Sequence, residues 1–261
     1  MAKRSSYASV NATTTKPTSE RYDRLDALRG LAIVWMTLFH FSFDLNYFGY
    51  LNFNFYEDSL WIYQRTFIVS LFLFCAACGQ AVALDRHLSW ERFFKRWYQV
   101  VGAAVLVTIG SYMVYPNSFI YFGILHGIAL MLLILRLTSK WSHYYLPAGL
   151  LLIGLKFVSP YIHTLDPNFE VLNSGWLNWL GLVSRKPITE DYVPLVPWLG
   201  VLLVGFALGR WIFKNYKFVF AGELKSQFRW LAVLGQWSLS YYLVHQPLLF
   251  GVVMLAKKIT G

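Results

Sequence analysis

Seven apolar runs dominate this chain, over about residues 27–47, 60–83, 98–115, 119–137, 144–161, 194–213 and 231–256. Each is about 18 to 25 residues long, the helix length that crosses a hydrocarbon core of about 30 Å. A water-soluble globule could not cover so much greasy sequence. Of the 261 residues, 57% are hydrophobic and only 14% are charged, against about a quarter charged in an ordinary soluble domain. In lipid every backbone N–H and C=O must be bonded inside the protein, which leaves a helix bundle or a closed barrel. Barrel strands would show alternating segments of about ten residues, and none are visible. The sequence therefore predicts an all-α polytopic integral membrane bundle of about seven transmembrane helices. It forms a single membrane-embedded domain over 21–261. Residues 1–20 are Ser/Thr-rich and lack an apolar core, so they read as a disordered cytoplasmic tail, neither signal peptide nor span.

The formal charge is +10, which in a soluble protein would suggest a nucleic-acid partner. Here the cations sit in alternate connections. One set holds Lys3, Arg4, Lys16, Arg21 and Arg24, then Arg86, Arg92, Lys95 and Arg96, then Arg136 and Lys140, then Arg210, Lys214, Lys217, Lys225 and Arg229. The opposite connections hold only Arg185 and Lys186, with Lys257 and Lys258 after the last run. Cytoplasmic loops concentrate Lys and Arg, so the N-terminus is placed in the cytoplasm and the C-terminus outside. The terminal lysine pair argues mildly against an odd number of spans. The expected partner is the lipid bilayer, and no nucleic acid.

Cys75 and Cys78 have CxxC spacing, but both lie inside an apolar run with no second pair elsewhere. Free thiols and no metal are expected. The basic, aromatic segment 85–97, DRHLSWERFFKRW, reads as an amphipathic interfacial helix or as a holder of the phosphates of a cytosolic ligand. The long connection 162–193 contains SGWLNWLGLVS, which reads as a short interfacial helix. It also carries Asp166, Glu170, Glu190 and Asp191, a natural place to receive a substrate.

Ionisable groups at membrane depth are costly, so each is a functional candidate. At about 1.5 Å per residue, His40 lies roughly 20 Å up the first run, His126 about 10 Å below the outer end of the fourth, and His245 about 20 Å up the seventh. Three histidines from three helices then share one layer near the outer face, provided the helices are neighbours. Asp44 follows His40 by four residues, one turn along the same face. There it either orients the imidazole as a general base or caps a loop near the water. Asp26 and Arg29 form an interfacial ion pair, or Arg29 grips an anion entering from the cytoplasm. Around His245, the side chains of Ser238, Ser240, Tyr241, Tyr242 and Gln246 offer donors for an oxyanion. Three imidazoles and a carboxylate lack the short local spacing of a zinc site, so no metal is expected.

The opening stretch RLDALRGLAIVWMTLFHF resembles that of membrane acyltransferases, with Arg29 and His40 in the arginine–ten residues–histidine pattern of the acyltransferase-3 family. The fuller resemblance is to the heparan-α-glucosaminide N-acetyltransferase catalytic-domain family in its short bacterial form. It is carried by LDALRGLAIVWMTLFHFSFDLNYFG, YFGILHGIAL, DYVPLVPWLGVLLVGFALG and LGQWSLSYYLVHQP in that order. It implies a polytopic enzyme of the bacterial inner membrane, a homodimer being one allowed assembly. Such an enzyme takes an acetyl group from cytosolic acetyl-CoA, or another acyl-CoA, to an amino-sugar or other glycan acceptor on the opposite side. His40 would be the active histidine, and the shared layer and spacing add Asp44, His126 and His245 as candidates beside it. Arg29 would lie toward the acyl-CoA, with Arg92 and Arg96 on the same basic side. Two alternatives are a transporter for a glycan or lipid-linked precursor, in which the polar groups form a path, and a non-catalytic envelope protein in which they join helices. No inverted repeat of the kind common in transporters is evident.

Overall fold

The computed structural model describes residues 22–222 and 224–260, and the tail expected over 1–20 lies outside them. The helices in chain order are α1 (Asp23–Tyr47), α2 (Ser59–Asp85), α3 (Trp90–Val114), α4 (Ile124–Leu137), α5 (Tyr145–Leu165), α6 (Leu195–Asn215), α7 (Phe218–Ala221), α8 (Arg229–Gln236) and α9 (Ser238–Thr260). Among the described residues there are six helices long and apolar enough to cross a membrane: α1, α2, α3, α5 with the 3-10 turn before it, α6 and α9. The 14 residues of α4 make a seventh, shorter apolar helix, about 21 Å long.

Lipid is as apolar as leucine, so helices in a bilayer associate by close packing across small residues. Gly149 of α5 and Gly200 of α6 lie against each other's backbone, where a Cβ on Gly149 would stand 2.8 Å from the Gly200 carbonyl oxygen. Farther along α6, Gly205 packs on Phe74 and Gly209 on Cys78 of α2. Leu73, Ala77, Met131, Leu135, Leu202 and Phe206 fill the core between α2, α4 and α6. The second packing unit is α1, which lies against α8, α9 and α2. Gly30 of α1 and Gly235 of α8 meet where these helices cross, and a Cβ on either would overlap a backbone carbonyl of the other helix, that of Leu231 or Asp26.

Three segments differ from the sequence expectation. The run 231–256 is not one span: it breaks at Trp237 into α8 and α9. Gly235 docks α8 onto α1, and Ser238, a residue type that favours helix starts over interiors, begins α9. The basic segment 85–97 is not a separate surface helix. The Ser89 hydroxyl caps α3 by accepting from the Arg92 N–H, and the helix then runs unbroken for 25 residues. The stretch around Trp176 and Trp179 forms only a three-residue 3-10 turn, Asn178–Leu180. In addition, α4 starts at Ile124, several residues after the start of its apolar run. Residues 118–122 are drawn instead into an extended pairing with 189–193, through bonds from the Glu190 N–H to the Ser118 carbonyl and from the Val193 N–H to the Phe122 carbonyl.

Candidate active site

Helices α1 and α9 lie side by side and parallel. Their contacts advance together along both helices, from Thr37 with Tyr241, through His40 with His245 and Asp44 with Gln246, to Phe48 with Phe250. That register brings two of the three histidines together. The ring centroids of His40 and His245 are 5.3 Å apart.

His245 is buried, and its protons can be assigned. Its Nδ1 lies 2.8 Å from the Tyr242 carbonyl oxygen, which only accepts, so Nδ1 carries the hydrogen. In the neutral ring Nε2 is then a bare lone pair, and it is buried without a partner. The Tyr241 ring stacks on the imidazole at 5.7 Å and 12°. The Thr37 hydroxyl gives its one hydrogen to the Ile33 carbonyl at 2.8 Å, so the Tyr241 hydroxyl must donate to Thr37 across 2.9 Å. Tyr241 is thus committed and is not a free oxyanion donor.

Asp44 is fully buried and does not pair with His40. Its Oδ1 accepts from Gln246 Nε2 at 2.9 Å, while its Oδ2 and the Gln246 Oε1 are buried acceptors without partners. The i, i+4 spacing therefore aligns the two residues without joining them, because Gln246 of α9 takes the carboxylate. Among the described residues no hydrogen bond reaches the His40 ring.

His126 belongs elsewhere. It sits in the first turn of α4, and its Nε2 lies 3.1 Å from Thr108 Oγ1. The Thr108 hydrogen goes to the Ile120 carbonyl, so the imidazole donates. Among the described residues no ring contact or hydrogen bond links His126 to the other two histidines.

The connection from α5 to α6 folds over this region as a strap. The Asp191 carboxylate accepts the Ile124 N–H at 2.7 Å and so caps α4, a favourable place for an acid. Burial nonetheless pushes the Asp191 carboxyl above its ordinary range, against the opposing pull of the Ile124 N–H and of Lys186 and Arg65. Glu190 accepts from Ser118 at 2.6 Å and from the Tyr56 hydroxyl at 3.3 Å. Thr37, Tyr56 and Arg65 were not picked out from sequence. The signal for Arg65 was visible, a cation inside the second apolar run.

On the opposite side, Arg29 pairs with Asp26 at 3.1 Å and approaches Gly79 of α2 to 3.8 Å from the position of a Cβ. Arg92 and Arg96 are exposed on the first turns of α3. Cys75 and Cys78 are free and buried. From Arg29 to His40 is 11 residues of helix, about 17 Å, so these cations stand apart from the imidazole pair.

The family model for the heparan-alpha-glucosaminide N-acetyltransferase catalytic domain matches residues 21–247, which takes in α1, the strap, α8 and His245. No curated protein and no solved structure matches the chain. The chain belongs to this catalytic family, which implies transferase activity in a protein with bilayer-length helices.

Proposed function

We propose that this member of the family is a membrane acyltransferase that carries an acetyl or other acyl group from cytosolic acyl-CoA to an amino-sugar or other glycan acceptor at the outer face. The observation that carries the reading is the His40–His245 contact, two imidazoles at membrane depth with a bare Nε2 on the tautomer-fixed ring. A neutral imidazole with a free lone pair can accept a proton from a substrate N–H or O–H.

In this reaction His40 takes the proton from the acceptor amine or hydroxyl as that nitrogen or oxygen attacks the thioester carbonyl carbon. The tetrahedral intermediate collapses, the carbon–sulfur bond breaks, and the CoA thiolate leaves and recovers one proton. His245 lies beside His40 with an open acceptor for that proton while the thiolate departs. Asp44 and Gln246 clamp α9 to α1 one turn farther out and hold the two rings in register.

The inner side suits an anionic donor. Arg92 and Arg96 are exposed there, and Arg229 lines a cavity of about 380 Å³ with Asp23 and Gln236. Guanidinium groups match phosphate oxygens in geometry and charge. Arg29, in the second turn of α1 and paired with Asp26, stands on the same basic side.

The test is transfer of labelled acetyl from acetyl-CoA by detergent-purified protein, with acetyl-CoA binding titrated in parallel. His40→Ala is expected to lower turnover by about 10² to 10⁴, the usual contribution of a positioned base, with binding of acetyl-CoA retained. Arg29→Ala is expected to weaken that binding. Undiminished turnover in His40→Ala removes the assignment, and wild-type protein that binds no acetyl-CoA removes the enzyme.

A further inference from the structure

Four side chains close a loop of contacts between α1 and α9. Thr37 and His40 lie three residues apart on α1, and Tyr241 and His245 four apart on α9, so each pair shares one helix face. One rung joins Thr37 to Tyr241 by a hydrogen bond of 2.9 Å, and the other brings the two imidazoles to 5.3 Å between centroids. The two faces are thus fixed against each other at two heights, one turn apart.

The imidazole of His245 needs more than its hydrogen bond to keep one orientation. Its Nδ1–H donates to the Tyr242 carbonyl at 2.8 Å. That bond alone leaves the ring free to pivot, because the outer torsion of histidine is broad. The Tyr241 ring removes this freedom. It lies against the imidazole at 5.7 Å and 12°, and stacking of flat rings is a favoured arrangement. The rings of Tyr242 and His40 meet the imidazole at 55° and 59° and do not share its plane.

Tyr241 is itself anchored across the helix boundary. Its hydroxyl donates to Thr37 Oγ1, whose own hydrogen is committed to the Ile33 carbonyl. Donor and acceptor roles are settled, so the phenol is held relative to α1. His40 is carried by α1 three residues farther on. The plane of His245 is therefore set relative to His40 and not only relative to its own helix. The Asp44–Gln246 bond on the other side of the pair joins the helices, but among the described residues it makes no hydrogen bond to either imidazole. A proton is passed only when the accepting lone pair is within hydrogen-bond reach and aligned, so the plane of this ring matters to the transfer.

We infer that Tyr241 is a positioning residue, whose phenol, tethered to Thr37, holds the His245 imidazole in the plane from which Nε2 accepts a proton. Tyr241 acts through His245. Its effect on turnover rests on the transferase reading, while the ring geometry is measurable without turnover. The experiment pairs acetyl transfer by the detergent-purified full chain with NMR of its isotope-labelled imidazole nitrogens, the His245 signal being assigned by its loss in His245→Gln. Tyr241→Phe keeps the ring and drops the tether, and Thr37→Val drops the acceptor. Each is expected to lower kcat about tenfold, a change in barrier of about 1.4 kcal/mol that corresponds to one hydrogen bond, with KM for acetyl-CoA unchanged. The double variant is expected to be no slower than either single one, because both changes break the same bond. Thr37→Ser keeps the hydroxyl and is expected to retain wild-type turnover, which separates a lost bond from a lost fold. In the NMR arm wild type is expected to show one His245 tautomer with Nδ1 protonated, and Tyr241→Phe and Thr37→Val to broaden or split that signal. Full turnover in both single variants, additive losses in the double variant, or a raised KM with kcat intact overturns the proposal, as does a His245 signal unmoved in both. Wild type that transfers no acetyl sinks the transferase reading, and the His245 signal of the two variants then decides the positioning role by itself.

Discussion

The two halves of α1 contrast sharply. Its inner half crosses α8 through Gly30 and Gly235 with backbone against backbone. Its outer half meets α9 through side chains, namely Thr37–Tyr241, His40–His245 and Asp44–Gln246. The inner contact leaves no room for adjustment. The outer one is spaced by polar groups, and three of its acceptors, His245 Nε2, Asp44 Oδ2 and Gln246 Oε1, are buried without partners. Buried acceptors of that kind cost free energy, and strain or unsatisfied groups are tolerated where they serve a site. One helix thus carries a close-packed anchor and a polar seam with unpartnered buried acceptors.

The largest expected effect tests the anchor. Gly30→Ala or Gly235→Ala puts a methyl group into a carbonyl oxygen of the facing helix. The backbone cannot yield as a side chain would, so the loss should reach the upper end of the about 1–3 kcal/mol typical of overpacking. A thermal melt in detergent measures it, and a melting temperature unchanged in both variants would mean that α1 and α8 are not in this contact.

A smaller effect is expected in the seam. Gln246→Leu leaves the buried Asp44 carboxylate without its donor and should destabilise by about 1–3 kcal/mol. Replacing both, as Asp44→Leu with Gln246→Leu, should be milder than the sum of the single changes, because partners removed together leave no orphan. Strict additivity would show that the two side chains are not bonded, and would remove the clamp that holds the histidines in register.

The smallest effect concerns the strap above the seam. Burial raises the Asp191 carboxyl above its ordinary value. A group whose folded pKa lies above the unfolded one contributes stability that is full below the unfolded value and is lost as pH rises through the folded one. At neutral pH the ionised carboxylate is therefore a net cost. Asn keeps an oxygen for the Ile124 N–H, so Asp191→Asn should raise the melting temperature slightly at pH 7. The gain should vanish as pH falls below the carboxylate range. A gain that grows toward acid would reverse the assigned direction.

Much of this was legible before any coordinates. His40 and His245 were marked because an imidazole in an apolar run needs a reason, and counting along each helix put both near the outer face. His126 was marked by the same count and went elsewhere, since equal height does not make neighbours. Asp44 shows the limit of spacing. It is one turn from His40 in sequence, yet its partner is Gln246, 202 residues away. Tyr56 was out of reach because the connection 48–58 has no periodicity to read, whereas Arg65 was legible as a cation inside the second apolar run.

Hydrophobic length alone determined that this chain enters a bilayer as helices, because lipid forbids unpaired backbone whatever the fold. The cations of the connections set the expected orientation in the same local way. Which imidazoles meet, which carboxylate is clamped and which phenol backs His245 were decided only by tertiary packing. Those choices depend on which helix lies beside which and at what register, and close approach at a few glycines, Gly30, Gly149, Gly200 and Gly235, selects that arrangement from many that have the same apolar pattern.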